Sequence, residues 1–408
     1  MLTKLELNNF TVFEHAEFEF GMLNVIHGEN GTGKTHLLKV IHLLAGAAAQ
    51  PDVGPSHSRL MHFTPDRDKP AVKLTLVLWD RAARIFGVPN LALVVRTGHE
   101  AGTIAGVTHL GGRIGVYVGH DPEFDLLEGS ELTTDWGGTA TFIPATDVLS
   151  RDPALVELYA DREIREDCTA ADLLAEIRKP PIRHPPEWVS AILTDLERAI
   201  GGRPQVDRNG AVLIDSAGNR AFSDEAGSGA GSSDGSGFGY GSGSGAGHGD
   251  GSGHGVPRSP RPATQLVAAL VAQGHLKLAS LALVMTRVDL RNGWTLCWDE
   301  PEANLNPALL EVTAKAIVML AQAGVQVFIA THSLMLIRQI YLITKLLKQP
   351  VATRWFGLQR HGAEVTVDQG DDVAASGEMA ALDQELIQAD LYLAVESGSR
   401  KPGTLELP

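Results

Sequence analysis

The feature that most restricts the fold of this chain is an eight-residue stretch near its start, residues 28–35, which reads GENGTGKT. It matches the pattern G-x-x-x-x-G-K-[ST] in full. An apolar run over residues 22–27 precedes it, and residues 35–44 carry apolar side chains at helical spacing. The stretch is therefore predicted to join a strand to a helix. Because glycines let the backbone curl, N–H groups of the loop and of the helix start would face a bound anion.

This pattern also predicts which atoms would hold a nucleotide. Lys34 is expected to reach the β- and γ-phosphates of ATP, and Thr35 is expected to hold Mg²⁺. The alternative, a glycine-rich turn without a ligand, is disfavoured because chance rarely matches the full pattern between a strand and a helix. The predicted ATP-binding residues are Gly28, Glu29, Asn30, Gly31, Thr32, Gly33, Lys34, Thr35 and His36.

An acidic pair follows an apolar strand much later in the chain. Residues 294–298 read WTLCW and lead directly into Asp299 and Glu300. Asp299 is expected to bind Mg²⁺, and Glu300 to orient and polarise the attacking water, with Lys34 as a further catalytic residue. The two acids could instead occupy a helix N-terminus, where the helix dipole favours negative charge. Their position after the glycine-rich loop favours the catalytic interpretation.

A histidine follows a third apolar run. Residues 325–330 are predicted to form a strand, and His332 and Ser333 come directly after it. A residue at the carboxyl end of a parallel strand lies on the ligand side of an α/β sheet. His332 is therefore predicted to contact the γ-phosphate and is grouped with the catalytic residues. The alternative is a helix capped by Ser333, next to an incidental histidine.

Composition restricts the class of protein. The chain has 408 residues, of which 44% are apolar, enough for one large composite domain or two ordinary ones. No apolar run approaches the ~20 residues of a membrane span, and the first residues do not resemble a signal peptide. Cys168 and Cys297 are expected to be buried thiols. We therefore expect a cytoplasmic protein without a membrane, and the net charge of −15 disfavours a coat of nucleic acid.

The remaining pattern predicts an α/β protein. A parallel core sheet, a mixed N-terminal β-subdomain and a helical insertion near residues 150–200 are expected, because runs of strands come first and strands alternate with helices later. Strands are expected at residues 2–7, 13–20, 22–27, 72–79, 91–96, 113–118, 141–144, 294–298, 325–330, 353–358 and 364–367. Helices are expected at 35–44, in pieces over 153–200, and at 264–288, 307–322 and 333–347, with a hairpin at 206–214.

One segment changes the character of the chain. In residues 226–255 nearly every second residue is glycine, and such a composition cannot bury enough apolar area to offset the entropy lost on ordering. A flexible linker is predicted. His248, Asp250 and His254 could suggest a metal site or a calcium-binding β-roll turn. Such turns occur as repeated units, and the segment contains no such repeat. The predicted parts are 1–225 and 256–372 for a head interrupted by the linker 226–255, and 373–408 for an acidic helix and tail.

Two stretches resemble a known family. Residues 299–307, DEPEANLNP, and residues 330–333, ATHS, resemble the ABC-type ATPases related to RecF and to SMC heads. The chain is similar to the standalone bacterial ATP-binding proteins of the AAA family, whose members also resemble residues 142–145 and the opening strand. The resemblance covers most of residues 1–225 and 256–370. It implies a P-loop NTPase of the ABC/RecF/SMC-head type.

The resemblance further implies an ATP-dependent, head-to-tail homodimer with two ATP molecules between the heads. Each ATP would be completed by the signature motif of the other subunit, and residues 271–277 are the candidate for that motif. Gly274 would open a helix whose N–H groups face the γ-phosphate across the interface. Ala272 stands where the family has a phosphate-binding serine, so one hydrogen bond would be missing. An ordinary amphipathic helix with a mid-helix glycine is the alternative.

Two further stretches would complete the family's site. Residues 304–306 would touch the site of the opposite subunit, and residues 144–147 are the candidate for a glutamine loop.

Three functions stay open at this point. The resemblance implies an ATP-hydrolysing switch in bacterial DNA maintenance or phage defence, with a nuclease or toxin as its partner. A scaffold that holds ATP and barely hydrolyses it is the second, motivated by Ala272. The ATPase subunit of an ABC transporter is the third, disfavoured by residues 302–307 and by the length of 60–225.

DNA binding is a separate hypothesis. Exposed basic clusters more often solvate a surface than bind nucleic acid, and binding would weaken steeply with salt. The two candidate clusters are Arg59, Arg67, Lys69, Arg81 and Arg84, and Arg178, Lys179 and Arg183.

Overall fold

The computed structural model describes residues 1–46, 70–120, 124–130, 138–151, 154–160, 167–216, 265–288 and 293–377, together with residues 388, 393 and 397. Within these ranges the strands are β1 (Leu2–Phe10), β2 (Phe13–Glu19), β3 (Leu23–Gly28), β4 (Ala101–Thr108), β5 (Arg113–Gly119), β6 (Phe124–Leu126), β7 (Thr139–Ile143), β8 (Arg203–Val206), β9 (Val212–Asp215), β10 (Gln265–Val267), β11 (Trp294–Asp299), β12 (Gln326–Thr331), β13 (Thr353–His361) and β14 (Glu364–Gly370). The helices are α1 (Lys34–Ala45), α2 (Pro70–Phe86), α3 (Leu155–Ala160), α4 (Thr169–Arg178), α5 (Glu187–Ile200), α6 (Gln273–Met285), α7 (Pro307–Gln322) and α8 (Leu334–Leu346).

A six-stranded sheet in the order β14-β13-β3-β12-β11-β7 organises the chain. All its neighbouring strands pair in parallel except β14, which pairs antiparallel with β13. Both faces are buried, as is usual for parallel sheets. In β12, for example, Val327 and Ile329 enter one core, and Phe328 and Ala330 enter the other. This alternation follows from the two-residue period of a strand and confirms the predicted parallel core.

An antiparallel sheet in the order β2-β1-β4-β5-β6 lies on one side. Its aromatic side chains Phe10, Phe13 and Phe18 share a core with Leu37 of α1. The rings of Phe18 and Phe356 lie 5.9 Å apart and connect this sheet to the central one. The predicted N-terminal β-subdomain is therefore present and covers the face that carries α1.

Helices cover the other face of the central sheet. The insertion predicted near residues 150–200 consists of α3, α4 and α5. Leu174 and Leu196 from this insertion share one core with Leu281 of α6 and Ile317 of α7. The small sheet β10-β9-β8 adjoins them, and β8 with β9 forms the hairpin predicted at residues 206–214.

Two expected strands were wrong, and one strand was missed. Residues 72–79 lie in α2 and not in a strand, because the apolar run continues at helical spacing with Leu78, Ala82 and Ile85 buried on one side. The strand expected at residues 91–96 is mostly a 3₁₀ turn, Leu91–Val94. The strand β4 was not predicted, since its Ala- and Gly-rich residues give a weak apolar pattern.

The long helix expected at residues 264–288 is correct only in its second part. Residues 265–267 form β10, Ala268–Leu270 form a 3₁₀ turn, and α6 begins at Gln273. The apolar run over this stretch satisfies strand and helix patterns equally, so periodicity alone does not locate the change.

The tail packs back on the head where it can be described. Its first residues, Val373–Ser376, form a 3₁₀ turn, and the buried Ser376 hydroxyl lies 2.6 Å from Nε2 of His27, the residue before the glycine-rich loop. The linker prediction at 226–255 and most of the acidic helix lie outside the described residues. Among the described helices, none is both long and apolar enough to cross a membrane. Cys168 and Cys297 are buried free thiols, as expected.

Candidate active site

The carboxyl ends of three parallel neighbours meet at one edge of the central sheet. Strand β3 ends at Gly28, β12 lies beside it and ends at Thr331, and β11 is next and ends at Asp299. The glycine-rich loop, His332 and the acidic pair, which are far apart in sequence, are therefore brought together. This edge is where ligands bind in open α/β sheets.

The glycine-rich loop has a backbone that only glycine adopts comfortably. Gly28, Gly31 and Gly33 have φ angles of 152°, 79° and 89°. A Cβ on Gly28 would lie 2.4 Å from the carbonyl oxygen of Leu358, and one on Gly33 would lie 2.6 Å from a methyl group of Val12. Both the left-handed conformation and the close packing require glycine here. Glu29, Asn30 and Gly31 are exposed at the mouth of the loop.

The Lys34 side chain folds back over the loop. Its Nζ donates to the carbonyl oxygens of Gly28 at 2.8 Å and Glu29 at 2.7 Å, and the Thr32 hydroxyl also donates to Glu29 O, at 2.9 Å. Burial lowers the pKa of Lys34, and the charge of Asp299 opposes this shift most strongly. Lys34 is thus held inside the loop by carbonyl groups, where phosphate oxygens would be competing acceptors.

The start of α1 supplies free main-chain donors. The first helical bond runs from Leu37 N to Gly33 O at 2.9 Å, so the N–H groups of Lys34, Thr35 and His36 come before any intrahelical acceptor. The ring of His36 packs against Phe86, with ring centroids 6.1 Å apart. His36 can therefore serve the predicted anion site only through its main chain.

A hydrogen bond joins the loop to the acidic pair across 264 residues. The Thr35 hydroxyl donates to Asp299 Oδ2 at 2.8 Å. Asp299 is 5% exposed, and its Oδ1 is buried without a partner. Burial raises the pKa of Asp299 to about 6, although the Thr35 hydrogen bond acts in the opposite direction. A buried carboxylate oxygen without a donor, beside a hydroxyl, fits the oxygen ligands that Mg²⁺ prefers.

Glu300 lies at the corner that follows β11. Its φ of 44° is left-handed, which is uncommon for a residue with a side chain. Its N–H donates to Ala330 O at 2.8 Å. Its carboxylate is 30% exposed, and Oε1 lies 3.4 Å from Nδ1 of His332. The two predicted catalytic groups thus lie side by side, facing the space above the loop that holds Lys34.

A third carboxylate, Glu302, was not among the predicted site residues. Its Oε1 accepts from the Thr331 hydroxyl at 2.7 Å and from His332 N at 3.0 Å, and its Oε2 is buried without a partner. It therefore holds the turn that presents His332. The signal was available, since Glu302 stands in the DEPEANLNP stretch, but that stretch gave no role for it.

A buried cation, Lys277, was also missed. It projects from the second turn of α6, is 3% exposed, and its Nζ donates to the main-chain oxygen of Glu300. Burial lowers the pKa of Lys277 to about 8, and the carboxylates of Glu302, Glu300, Asp299 and Asp147 oppose that shift. Nothing in the spacing of the sequence connects a lysine in one helix with a carbonyl group 23 residues later.

Gly274 lies in the first turn of α6, not mid-helix, and is buried. A Cβ there would lie 2.4 Å from Asn304 O and 3.0 Å from the Leu305 side chain. Within one chain, therefore, Gly274 packs against residues 304–306, whereas Ala272 and Gln273 are exposed. Ala272 is the N-cap of α6 and gives it no side-chain hydrogen bond.

The other candidate stretches also reach this edge. Asn304 has a φ of 65°, and Asn306 caps α7 by accepting from Leu309 N at 3.0 Å. Residues 144–147, the candidate glutamine loop, follow β7, which pairs with β11. Asp147 from that stretch is one of the acids facing Lys277.

Most described members of the basic clusters bond to other groups of the chain, whereas Arg183 is exposed. Arg81 and Arg84 lie on α2, and Arg81 donates to Gly46 O at 3.2 Å. Arg178 pairs with Glu157, and Lys179 pairs with Glu176. Arg59, Arg67 and Lys69 lie outside the described residues.

Two sequence profiles match the segments that build this site. The profile described as "AAA domain" matches residues 4–75, and the one described as "AAA domain, putative AbiEii toxin, Type IV TA system" matches residues 258–338. Both descriptions name AAA domains; the first matched segment contains the glycine-rich loop, and the second contains the acidic pair and His332. The expected α/β P-loop fold, with a parallel core sheet and an N-terminal β-subdomain, is confirmed.

The solved structures to which the chain is similar include two SMC heads and a RecF protein. An SMC head bound to the C-winged helix domain of ScpA is 12% identical, with a TM-score of 0.46, over 90% of this chain and 97% of that one. The SMC head domain from Thermotoga maritima is 11% identical, with a TM-score of 0.40, over 90% and 97%. The recombination mediator RecF–ATPrS of the RecFOR pathway is 11% identical, with a TM-score of 0.39, over 90% and 98%. No curated protein matches the ATPase domain or the rest of the chain.

Proposed function

We propose that this AAA-type protein is an ATP-hydrolysing switch that acts with a partner effector in bacterial DNA maintenance or phage defence. The observation that carries the proposal is the hydrogen bond from Thr35 to Asp299, next to Glu300 and His332. It connects a loop suited to binding phosphate with two carboxylates, one suited to holding Mg²⁺ and one suited to activating water, and ATP hydrolysis requires all three functions. A loop that bound only an anion would not need Asp299, Glu300 and His332 beside it.

The side chains have distinct roles in this proposal. Lys34 exchanges the carbonyl oxygens of Gly28 and Glu29 for phosphate oxygens of ATP. Mg²⁺, held by Thr35 and Asp299, would neutralise charge on the phosphates when bound.

Glu300 accepts a proton from water as the water oxygen bonds to the γ-phosphorus. The bond from that phosphorus to the β,γ-bridging oxygen breaks, and ADP and phosphate are released. His332, 3.4 Å from Glu300, donates toward the γ-phosphate.

A second copy of the chain is the proposed partner at the mouth of the site. Exposed apolar side chains flank it: Leu266, Val267 and Leu270, which is 73% exposed, precede α6, and Met335 follows His332. Exposed apolar groups rimmed by polar ones are typical of protein interfaces. Ala272 and Gln273 lie at the exposed start of α6, where main-chain N–H groups would donate to the ATP of the other subunit.

The effector is proposed to be a toxin or nuclease. The description of the second matching profile names a putative AbiEii toxin of a type IV toxin–antitoxin system, which supports this class of partner. ATP-dependent closure of the dimer would hold or release the effector. The effector would be identified by its copurification with the Glu300→Gln variant, compared with and without ATP.

The experiment that tests the proposal compares wild type with Glu300→Gln, which loses the proton acceptor and keeps the shape. We expect wild-type turnover of Mg·ATP and a fall of about 100-fold or more in kcat for the variant. The variant should still bind ATP, and its solution mass should double when Mg·ATP is added. A monomer mass with ATP bound would contradict the dimer, and turnover equal in both proteins would contradict hydrolysis by Glu300.

A scaffold that holds ATP with little hydrolysis is the second candidate. It is favoured by Ala272, the N-cap of α6, which offers no side-chain acceptor or donor. Serine is a preferred N-cap and would also supply a hydroxyl toward ATP. If the scaffold is correct, Ala272→Ser should raise ATP-dependent dimerisation and turnover above the wild-type level. Unchanged behaviour of this variant would remove the argument for the scaffold.

A further inference from the structure

Helix α6 connects the exposed rim of the site to its catalytic corner. Ala272 and Gln273, at its start, are exposed, whereas Lys277, one turn later, is buried against Glu300. Gly274 packs against Asn304 O, so the start of the helix also touches the loop after Glu300. A displacement of α6 would thus change two contacts with that loop, one at Glu300 and one at Asn304.

The main chain of Glu300 is held at both ends. Its N–H donates to Ala330 O, and its carbonyl oxygen accepts from Ala303 N at 3.0 Å and from Lys277 Nζ. A left-handed φ at a residue with a side chain is strained, so surrounding contacts must maintain it. Lys277 is the only one of these three partners that acts through a side chain and comes from α6.

We propose that Lys277 is a positioning residue that fixes the main-chain conformation of Glu300, and so the direction of its carboxylate. Through it, α6 links engagement of its exposed start by a partner to activation of water in its own chain. The inference rests on the proposed hydrolysis of ATP by Glu300. Lys277 is not itself a catalytic residue, because its Nζ contacts the main chain of Glu300 and no reacting atom.

The test measures steady-state ATP turnover by the full chain, in wild type and in Lys277→Met, which keeps an apolar stem of similar length. Loss of a charge-assisted hydrogen bond is expected to lower kcat about 10- to 100-fold. KM should stay within about threefold, because ATP contacts are unchanged. Lys277→Arg, which keeps a cationic donor, should recover part of the rate.

A second pair of variants separates positioning from general structural damage. In the Glu300→Gln background, Lys277→Met should cause no further loss, because a residue that acts through the Glu300 carboxylate has no effect once that carboxylate is gone. Ser280→Ala is the matched control on the same helix, since Ser280 is also buried and its hydroxyl donates to Leu276 O within α6. Its kcat should equal that of wild type.

The possible outcomes are distinct. Wild-type turnover with an unchanged kcat in Lys277→Met would overturn the inference alone, and so would an equal loss in the two backgrounds. Wild-type protein without turnover would overturn the proposed function together with the inference. If Lys277→Met does not fold, judged by its melting curve, Lys277→Gln gives the same comparison with a neutral polar side chain.

Discussion

The proposed ATPase site has two halves: a phosphate-binding half, residues 28–36, and a hydrolytic half, residues 299–306 with His332. They reach unusual backbone conformations in different ways. The phosphate-binding half does so with glycine, at Gly28, Gly31 and Gly33. The hydrolytic half places residues with side chains, Glu300 and Asn304, in the left-handed region. Glycine adopts these φ angles without strain, whereas residues with side chains are strained there and need supporting contacts.

That support comes from distant segments. Ala330 and Lys277 hold Glu300, and Glu302 ties the same loop to Thr331 and His332. The phosphate-binding half has hydrogen bonds within residues 28–37, together with the long-range bond from Thr35 to Asp299. We therefore infer that the proposed binding and hydrolysis of ATP depend on different contacts, and that a partner would act on the half that contacts α6.

The largest effect is expected from Lys34→Ala, which tests the binding half. Loss of its charge-assisted bonds to phosphate should weaken ATP affinity at least about 30-fold. Lys315→Ala, which removes an exposed lysine paired with Glu311, is the control and should bind as wild type does. The measurement is equilibrium binding of a fluorescent ATP analogue. Equal affinities in the two variants would show that the loop does not bind phosphate through Lys34.

The next effect tests whether the loop requires glycine. In Gly33→Ala, the φ of 89° is combined with a Cβ only 2.6 Å from Val12, so ATP affinity should fall about tenfold or more. Gly111→Ala is matched in φ, at 87°, but has open space around its Cβ. It should lose only about 1 kcal/mol of unfolding free energy and keep its ATP affinity. Melting curves and ATP titrations of both variants give the comparison.

A smaller effect is expected in the hydrolytic half from Glu302→Ala. It removes the acceptor of Thr331 Oγ1 and His332 N, and a loss of about 0.7 kcal/mol for each of the two bonds predicts roughly a tenfold lower kcat. ATP affinity should stay within about twofold of the wild-type value, because Glu302 belongs to the hydrolytic half and is not expected to contact phosphate. A loss of binding equal to the loss of rate would break the separation between the halves.

The smallest effect concerns pH and the link between the halves. In the nucleotide-free fold the pKa of Asp299 is raised from 3.8 to about 6, so its ionisation above pH 6 destabilises the fold, by about 3 kcal/mol at most. Below pH 4 Asp299 is protonated in both states and the cost vanishes.

Asp299→Asn should therefore melt a few degrees higher than wild type at pH 7.5 without nucleotide. The difference should shrink as pH falls from 6 to 4, and the variant should lose Mg²⁺-dependent turnover. A constant difference in melting temperature across this range would show that Asp299 has an ordinary pKa.

Sequence alone was sufficient to predict the strand, loop and helix of the proposed phosphate-binding half. Its donors are main-chain groups and one lysine within residues 28–36, so a local pattern contains nearly all of its geometry. Asp299, Glu300 and His332 were located because each directly follows a buried strand of the parallel sheet. Their neighbourhood then follows from strand order, which places β12 between β3 and β11.

The support for the hydrolytic half could not be predicted in the same way. Lys277 bonds to a carbonyl oxygen, and every residue has one, so no residue type in the sequence marks the partner. Glu302 was visible but had no assigned role until its contact with Thr331 was known. The strand wrongly expected at residues 72–79 has a similar cause, because local apolar runs do not reveal which tertiary surface they will meet.

The packing of Gly274 changes how sequences of this kind are interpreted. Its Cα lies so near Asn304 O that any side chain would collide with the chain's own loop. A protein with this architecture would therefore keep glycine at that position even if it never met a second copy. The exposed pair before it, Ala272 and Gln273, has no such packing constraint, so we expect these two residues, and not Gly274, to differ between chains that bind different partners.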